Sequence, residues 1–247
     1  MLPPEPLLFS ESLIALAVFA IVFMGSVVQA GLGMGFGLMV APVLALIDPA
    51  LVPAAALYLG TITSIFGAAG ERQSIAWDEV GIGMIGRTTG ILAGTAVLLQ
   101  IVDRSMFSLI FGCLILFAVG VTAFGWNMRL KASNLVGMGV ISGFMGVITS
   151  VGAPPLALIY QSQDPKTARP TLAAFFAFGG ALSLTSLYIT GYAGLDDLWM
   201  ALFMLPASLA GTWAGRLTRG RFDTRYRPAL LVIAGVASVL LILRGLG

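Results

Sequence analysis

Gln29-Ala-Gly-Leu-Gly-Met-Gly-Phe-Gly-Leu-Met-Val-Ala-Pro-Val-Leu-Ala-Leu-Ile47 is an apolar run broken by glycine at 31, 33, 35 and 37 and closed by a short hydrophobic segment. Its last seven residues return later in the chain. Ala41-Pro-Val-Leu-Ala-Leu-Ile47 reappears as Ala153-Pro-Pro-Leu-Ala-Leu-Ile159, identical at six of seven places. A chain that twice interrupts an apolar run and then resumes it briefly reads as duplicated, and its composition says in which solvent the duplication lives.

Of 247 residues, 58% are hydrophobic and 10% charged, and the mean hydropathy is +1.00. Soluble domains carry about 25% charged residues, so this chain resides in a lipid bilayer. A net charge of +2 is too small to indicate a nucleic-acid partner. Cys113 is the single cysteine, which excludes a disulfide framework and a thiolate metal site. The absence of histidine removes most transition-metal sites and imidazole catalysis, so neither a metal nor a cofactor is expected. Met1-Leu-Pro-Pro-Glu-Pro6 has no Lys or Arg ahead of the first apolar run, and that run is expected to be retained rather than cleaved as a signal peptide.

Because a helix needs roughly 20 residues to cross the hydrocarbon core, apolar length predicts the spans. In the first half they cover 12–30, a short 36–47, 50–70, 79–100 and 105–125. The Asn127–Lys131 linker follows, and the second half covers 133–149, a short 154–162, 169–190, 197–217 and 227–244. Further matches run in the same order: Leu92-Ala-Gly-Thr95 with Leu209-Ala-Gly-Thr212, and Asp103 with Asp223. The expected fold is all-α and polytopic, with two repeats of five segments, residues 1–126 and 132–247, each starting with a broken helix. Five is odd, so the halves should enter the membrane in opposite senses. Arg219, Arg221, Arg225 and Arg227 then mark the cytoplasmic side by the positive-inside rule. Arg129, Lys131, Lys166 and Arg169 fall on the same side. Asp48, Asp196, Asp197, Glu5 and Glu11 fall outside, with both termini. Glu71, Asp78 and Glu79 fit this layout poorly, although acidic residues count for little in the rule. Inverted repeats with interrupted helices are the architecture of many secondary transporters.

The interruptions have a chemical sense. Segments of about 12 and 9 residues are too short to span, and irregular backbone at membrane depth must be buried in protein or line a wet cavity. The simplest geometry is two hairpins, one from each side, whose tips meet near the midplane. Helices begin at those tips, and a helix start offers free N–H groups and about half a positive charge, which favours an anion. Gly33, Gly35 and Gly37 permit sharp turns and close approach to a ligand, as does Gly152, and Pro154 suits a first helical turn. Thr149 and Ser150 can cap the second short helix or donate to a ligand, and Gln29 is a further donor at the loop entry. The competing reading is that such glycines only let helices pack. It suits Gly90, Gly94, Gly211 and Gly215, but four alternate glycines exceed what one packing face needs.

Arg87 is the one ionisable residue well inside a span. An arginine there costs at least about 2.5 kcal/mol on insertion scales. With no carboxylate at that depth, its partner is expected to be carbonyls, water or an anionic ligand, whose oxygens a guanidinium matches through paired donors. Snorkelling to the interface is the alternative. Its counterpart in the second half is Met204. Thr63 and Ser64 can also face the site, although such hydroxyls commonly bond their own helix.

Gly31-x-Gly-x-Gly-x-Gly37 followed by Pro42, the second break ending Gly152-Ala-Pro154, and Thr61-Ile-Thr-Ser64 in a small-residue span resemble the sulfite exporter TauE/SafE family of membrane transporters. Met34 and Phe36 alternate with glycines where the family typically has consecutive ones. The resemblance implies export of sulfite, or of a related sulfur oxyanion or organosulfonate, across a bacterial cytoplasmic membrane. The residues themselves give only a small anion and a transporter. An intramembrane enzyme lacks a base and is disfavoured. An anion channel with the same site stays open, as does a homodimer.

Overall fold

The computed structural model describes residues 12–101, 103–217 and 226–247, and among them it contains helices and no strand. Ten α-helices follow one another: α1 (Ser12–Leu32), α2 (Phe36–Ile47), α3 (Ala54–Gly70), α4 (Trp77–Leu98), α5 (Arg104–Phe124), α6 (Ala132–Thr149), α7 (Ala153–Tyr160), α8 (Pro165–Ile189), α9 (Leu195–Leu217) and α10 (Tyr226–Leu246). Seven of the described helices are long and apolar enough to cross a membrane. The chain is a multi-pass membrane protein. Arg219, Arg221, Arg225 and Asp223, like Glu5 and Glu11, lie outside the described residues; Arg227 lies in α10, its side chain undescribed.

Local sequence sets the ends. Asp48 accepts from the Ala50 N–H and starts a single 3₁₀ turn at Pro49, while Asp164 accepts from the Lys166 N–H just ahead of Pro165 at the first position of α8. Both breaks are real interruptions. Gly35 has φ 108° immediately before α2, and Ser150 has φ 61° immediately after α6, conformations that end one helix and re-aim the next. The hairpins are lopsided, however. At 1.5 Å per residue, the 21-residue α1 is about 31 Å long and matches a full hydrocarbon core, and the 18-residue α6 nearly does. Only the returning helices α2 and α7 are short, so each break joins a full-length arm to a partial one.

Glycine stripes set the packing. Added Cβ atoms at Gly86, Gly90 and Gly94 of α4 would meet Val136, Val140 and Phe144 of α6 in that order. The two helices therefore run side by side in the same direction, at backbone-to-backbone distance. Gly211 and Gly215 of α9 meet Phe23 and Val27 of α1 in the same parallel manner. These five glycines thus do what small residues do between membrane helices. The other principal pairs are α3 with α8, α5 with α10, α3 with α9, α4 with α8, α2 with α10 and α5 with α7. Exchanging α1–α5 for α6–α10 maps this set of pairs onto itself: α1–α9 becomes α6–α4, α2–α10 becomes α7–α5, and α3–α8 and α5–α10 are unchanged.

Candidate functional site

The two breaks meet. A Cβ on Gly37, in the first turn of α2, would overlap the Ser150 carbonyl oxygen. Only glycine allows that approach. Around the junction lies a cavity of about 50 Å³, lined from the first half by Gln29, Gly35, Gly37, Thr61, Ser64 and Arg87, and from the second by Gly146, Ser150, Gly152, Ala153, Phe176 and Gly180. One water needs about 10–15 Å³ on the same measure. The space therefore suits a few water-sized groups, which is the scale of a small oxyanion rather than of a large organic molecule.

Arg87 is 3% exposed and does not snorkel. Its Nη1 donates to the Ser142 hydroxyl at 2.6 Å, and that hydroxyl donates to the Gly152 carbonyl, also at 2.6 Å. The guanidinium carbon sits 4.9 Å and 5.2 Å from the ring centroids of Phe175 and Phe176. A Cβ at Gly179 would overlap the Arg87 Nε, so α8 makes room for the side chain at that position. Among the described residues no carboxylate is within ion-pair distance of Arg87, and Nε is buried without a partner. The expected partners were carbonyls, water or a ligand. The structure supplies one serine hydroxyl and two aromatic faces, which hold the cation in place and leave most of its five donors without a partner among the described residues.

The remaining candidates divide. Gln29 lines the cavity, but its side chain is committed: Oε1 accepts from the Phe36 N–H at 3.2 Å and Nε2 donates to the Ser64 hydroxyl at 2.8 Å. It ties α1, the start of α2 and α3 together. The Ser150 hydroxyl donates to the Pro53 carbonyl at 2.8 Å. Gly35, Gly37 and Gly152 line the cavity. Gly33 and Thr149 do not. Gly33 has φ 76° and packs on the Arg169 backbone, while Thr149 is fully buried, donating to the Met145 carbonyl and accepting from the Val151 N–H. Both shape the breaks from behind. Thr63 likewise bonds its own helix, at Leu59 and Gly60.

The helix starts contribute unequally. The N–H groups of Gly37, Leu38, Gly152 and Ala153, all residues at the cavity, make no hydrogen bond to any described residue. In α7, however, Pro154 and Pro155 have no N–H. Of the two helix starts, α2 is therefore the fuller donor. Ser142, Thr61 and Gly180 were missed by sequence reasoning. Thr61 Oγ1 is buried and unpartnered, and a Cβ at Gly180 would overlap it.

Helices α3 and α8 flank the cavity and are joined at both ends. At one end the Tyr58 hydroxyl donates to that of Tyr188 at 2.6 Å, which donates to the Gly194 carbonyl. At the other, Arg169 pairs with Glu71 at 2.5 Å, and nearby Arg216 donates to the Phe66 carbonyl.

The family model described as Sulfite exporter TauE/SafE matches residues 18–241, nearly the whole chain and every residue of the cavity. The chain belongs to the sulfite exporter TauE/SafE family. Comparison with curated proteins and with solved structures gives no match. As a TauE/SafE protein the chain is a membrane transporter of the sulfite and sulfur-anion class, not an enzyme. Its lipid surroundings follow from the seven spans.

Proposed function

We propose that this TauE/SafE protein exports a small sulfur oxyanion, sulfite or a related organosulfonate, from the cytoplasm of a bacterium by alternating access, and that the anion binds where the two helix breaks meet. The observation that carries the reading is Arg87, a buried cation with no carboxylate partner among the described residues, at a cavity reached by free N–H groups from both halves. Buried charges are normally paired, so a site of this kind favours an anion. The two halves, 1–126 and 132–247, act as inverted repeats that rock about the shared cavity, a reading supported by the symmetric pairing of helices. Both termini face outward across the cytoplasmic membrane. Inside-negative potential then favours export by about 2.3 kcal/mol per charge per 100 mV.

Thermal-shift measurements on the purified protein with sulfite, sulfate, sulfonates, phosphate and carboxylates test the assignment, because a ligand of the native state raises the melting temperature. Stabilisation by sulfur oxyanions that Arg87→Ala abolishes, in a variant that still melts cooperatively, supports it. Equal stabilisation of wild type and variant removes Arg87 from the site. Saturable flux with trans-stimulation in proteoliposomes supports a carrier, and unsaturable flux overturns alternating access in favour of a channel.

A further inference from the structure

The cavity has a single formal charge. Arg87 is the only ionisable side chain among its lining residues. The helix starts add partial charge at most, about half an elementary charge at an uncapped end. Even that is reduced here. Gln29 Oε1 occupies the first N–H of α2, and the prolines at 154 and 155 remove two N–H groups from α7. Part of the wall is apolar, with Leu38, Ala56, Leu57, Val151 and Phe176 facing the space.

We infer that the site selects anions of one negative charge, hydrogensulfite or an organosulfonate, and rejects the sulfite and sulfate dianions. This rests on the sulfur-anion reading and specifies the charge state that the same site accepts. A monoanion balances the guanidinium. A dianion carries a second charge out of water into a site with no second cation, and an uncompensated buried charge is strongly disfavoured. The structure also provides for what distinguishes the monoanions. Hydrogensulfite has a proton to donate, and the buried, unpartnered Thr61 Oγ1 can accept it as a hydrogen bond. A sulfonate has a carbon substituent, and the apolar wall is its counterpart. With no carboxylate or histidine in the lining, the proton of hydrogensulfite stays on the substrate, so export of the monoanion carries one proton out with each sulfite.

Calorimetric titration of the purified full-length protein tests the rule with three probes: methanesulfonate, a monoanion throughout the working range; sulfate, a dianion throughout; and sulfite, which changes from monoanion to dianion near neutral pH. The expected results are pH-independent methanesulfonate binding, no sulfate binding at concentrations that saturate with methanesulfonate, and sulfite affinity falling about tenfold per pH unit once the dianion predominates, by proton linkage. Sulfate binding as tight as methanesulfonate, or sulfite affinity that is flat or rises with pH, overturns the rule. Failure of the sulfur reading looks different: sulfur oxyanions do not bind, and acetate against malonate then poses the same one-charge contrast. Preference for acetate supports the charge rule, equal or stronger malonate binding overturns it, and binding of none of these probes overturns both inferences.

Discussion

Gly37 rests on the Ser150 carbonyl so closely that a single added methyl group would overlap it. This contact fixes the first turn of α2 against the turn that ends α6, and the cavity surrounds it. The glycine therefore sets the distance between the two halves of the site.

Gly37→Ala should destabilise the protein by about 1–3 kcal/mol, the usual penalty for overpacking, and abolish ligand-induced thermal stabilisation. Gly137→Ala is the control, since a Cβ there meets nothing within 4 Å. It should leave the melting temperature unchanged or raise it, as alanine is the better helix former by about 1 kcal/mol. Melting curves in detergent with and without sulfite separate the two cases.

Arg87→Lys keeps the charge and loses the planar fork. An ammonium cannot present paired donors in a fixed plane, so anion affinity should drop by about tenfold or more, corresponding to about 1.4 kcal/mol. Calorimetric titration reads the change directly. Retained affinity would mean that charge alone suffices.

Ser142→Ala removes the hydroxyl between Arg87 Nη1 and the Gly152 carbonyl. It leaves a buried donor and a buried acceptor unpaired, which costs about 1–3 kcal/mol. It should weaken binding as well, because the same hydroxyl orients the guanidinium. Ser183→Ala offers a contrast: Ser183 Oγ is buried with no partner to lose, so stability should change little.

Gln29→Leu leaves the Phe36 N–H and the Ser64 hydroxyl without their shared partner. A loss of about 1–3 kcal/mol is expected. Hydrogen exchange should show faster opening around Gly35 than around α4, since the freed backbone lies at the break. Uniform exchange across both regions would argue against a local role for Gln29.

Apolar length and glycine placement carried most of the architecture. Segments expected at 36–47 and 79–100 appear as Phe36–Ile47 and Trp77–Leu98, because a lipid environment leaves helix as the favoured state of long apolar runs. The meeting of the glycine loop with residues 150–152 was also legible, since the shared Ala-Pro-x-Leu-Ala-Leu-Ile run marks both breaks. The lopsided hairpins were not. Tips that meet near the midplane imply arms of half depth, whereas α1 continues through Gly31 to Leu32, 21 residues in all, before it turns. Ser142 was invisible for another reason. A serine in an apolar helix looks the same whether it bonds its own backbone or a distant guanidinium, and only the parallel packing of α4 on α6 brings it to Arg87. The phenylalanines at 175 and 176 have the same ambiguity, as aromatic residues in a membrane helix ordinarily read as packing.

The α3–α8 pair is fastened by unlike bonds at its two ends, hydroxyl to hydroxyl between Tyr58 and Tyr188 and cation to anion between Arg169 and Glu71. Dissolved electrolyte weakens the second kind more than the first, though a partly buried pair such as this one less than an exposed one. Under the proposed alternating access, with α3 and α8 parting at each end in turn, brine would loosen one end more than the other, so the saltiness of the medium would tilt which way the carrier rests between turnovers.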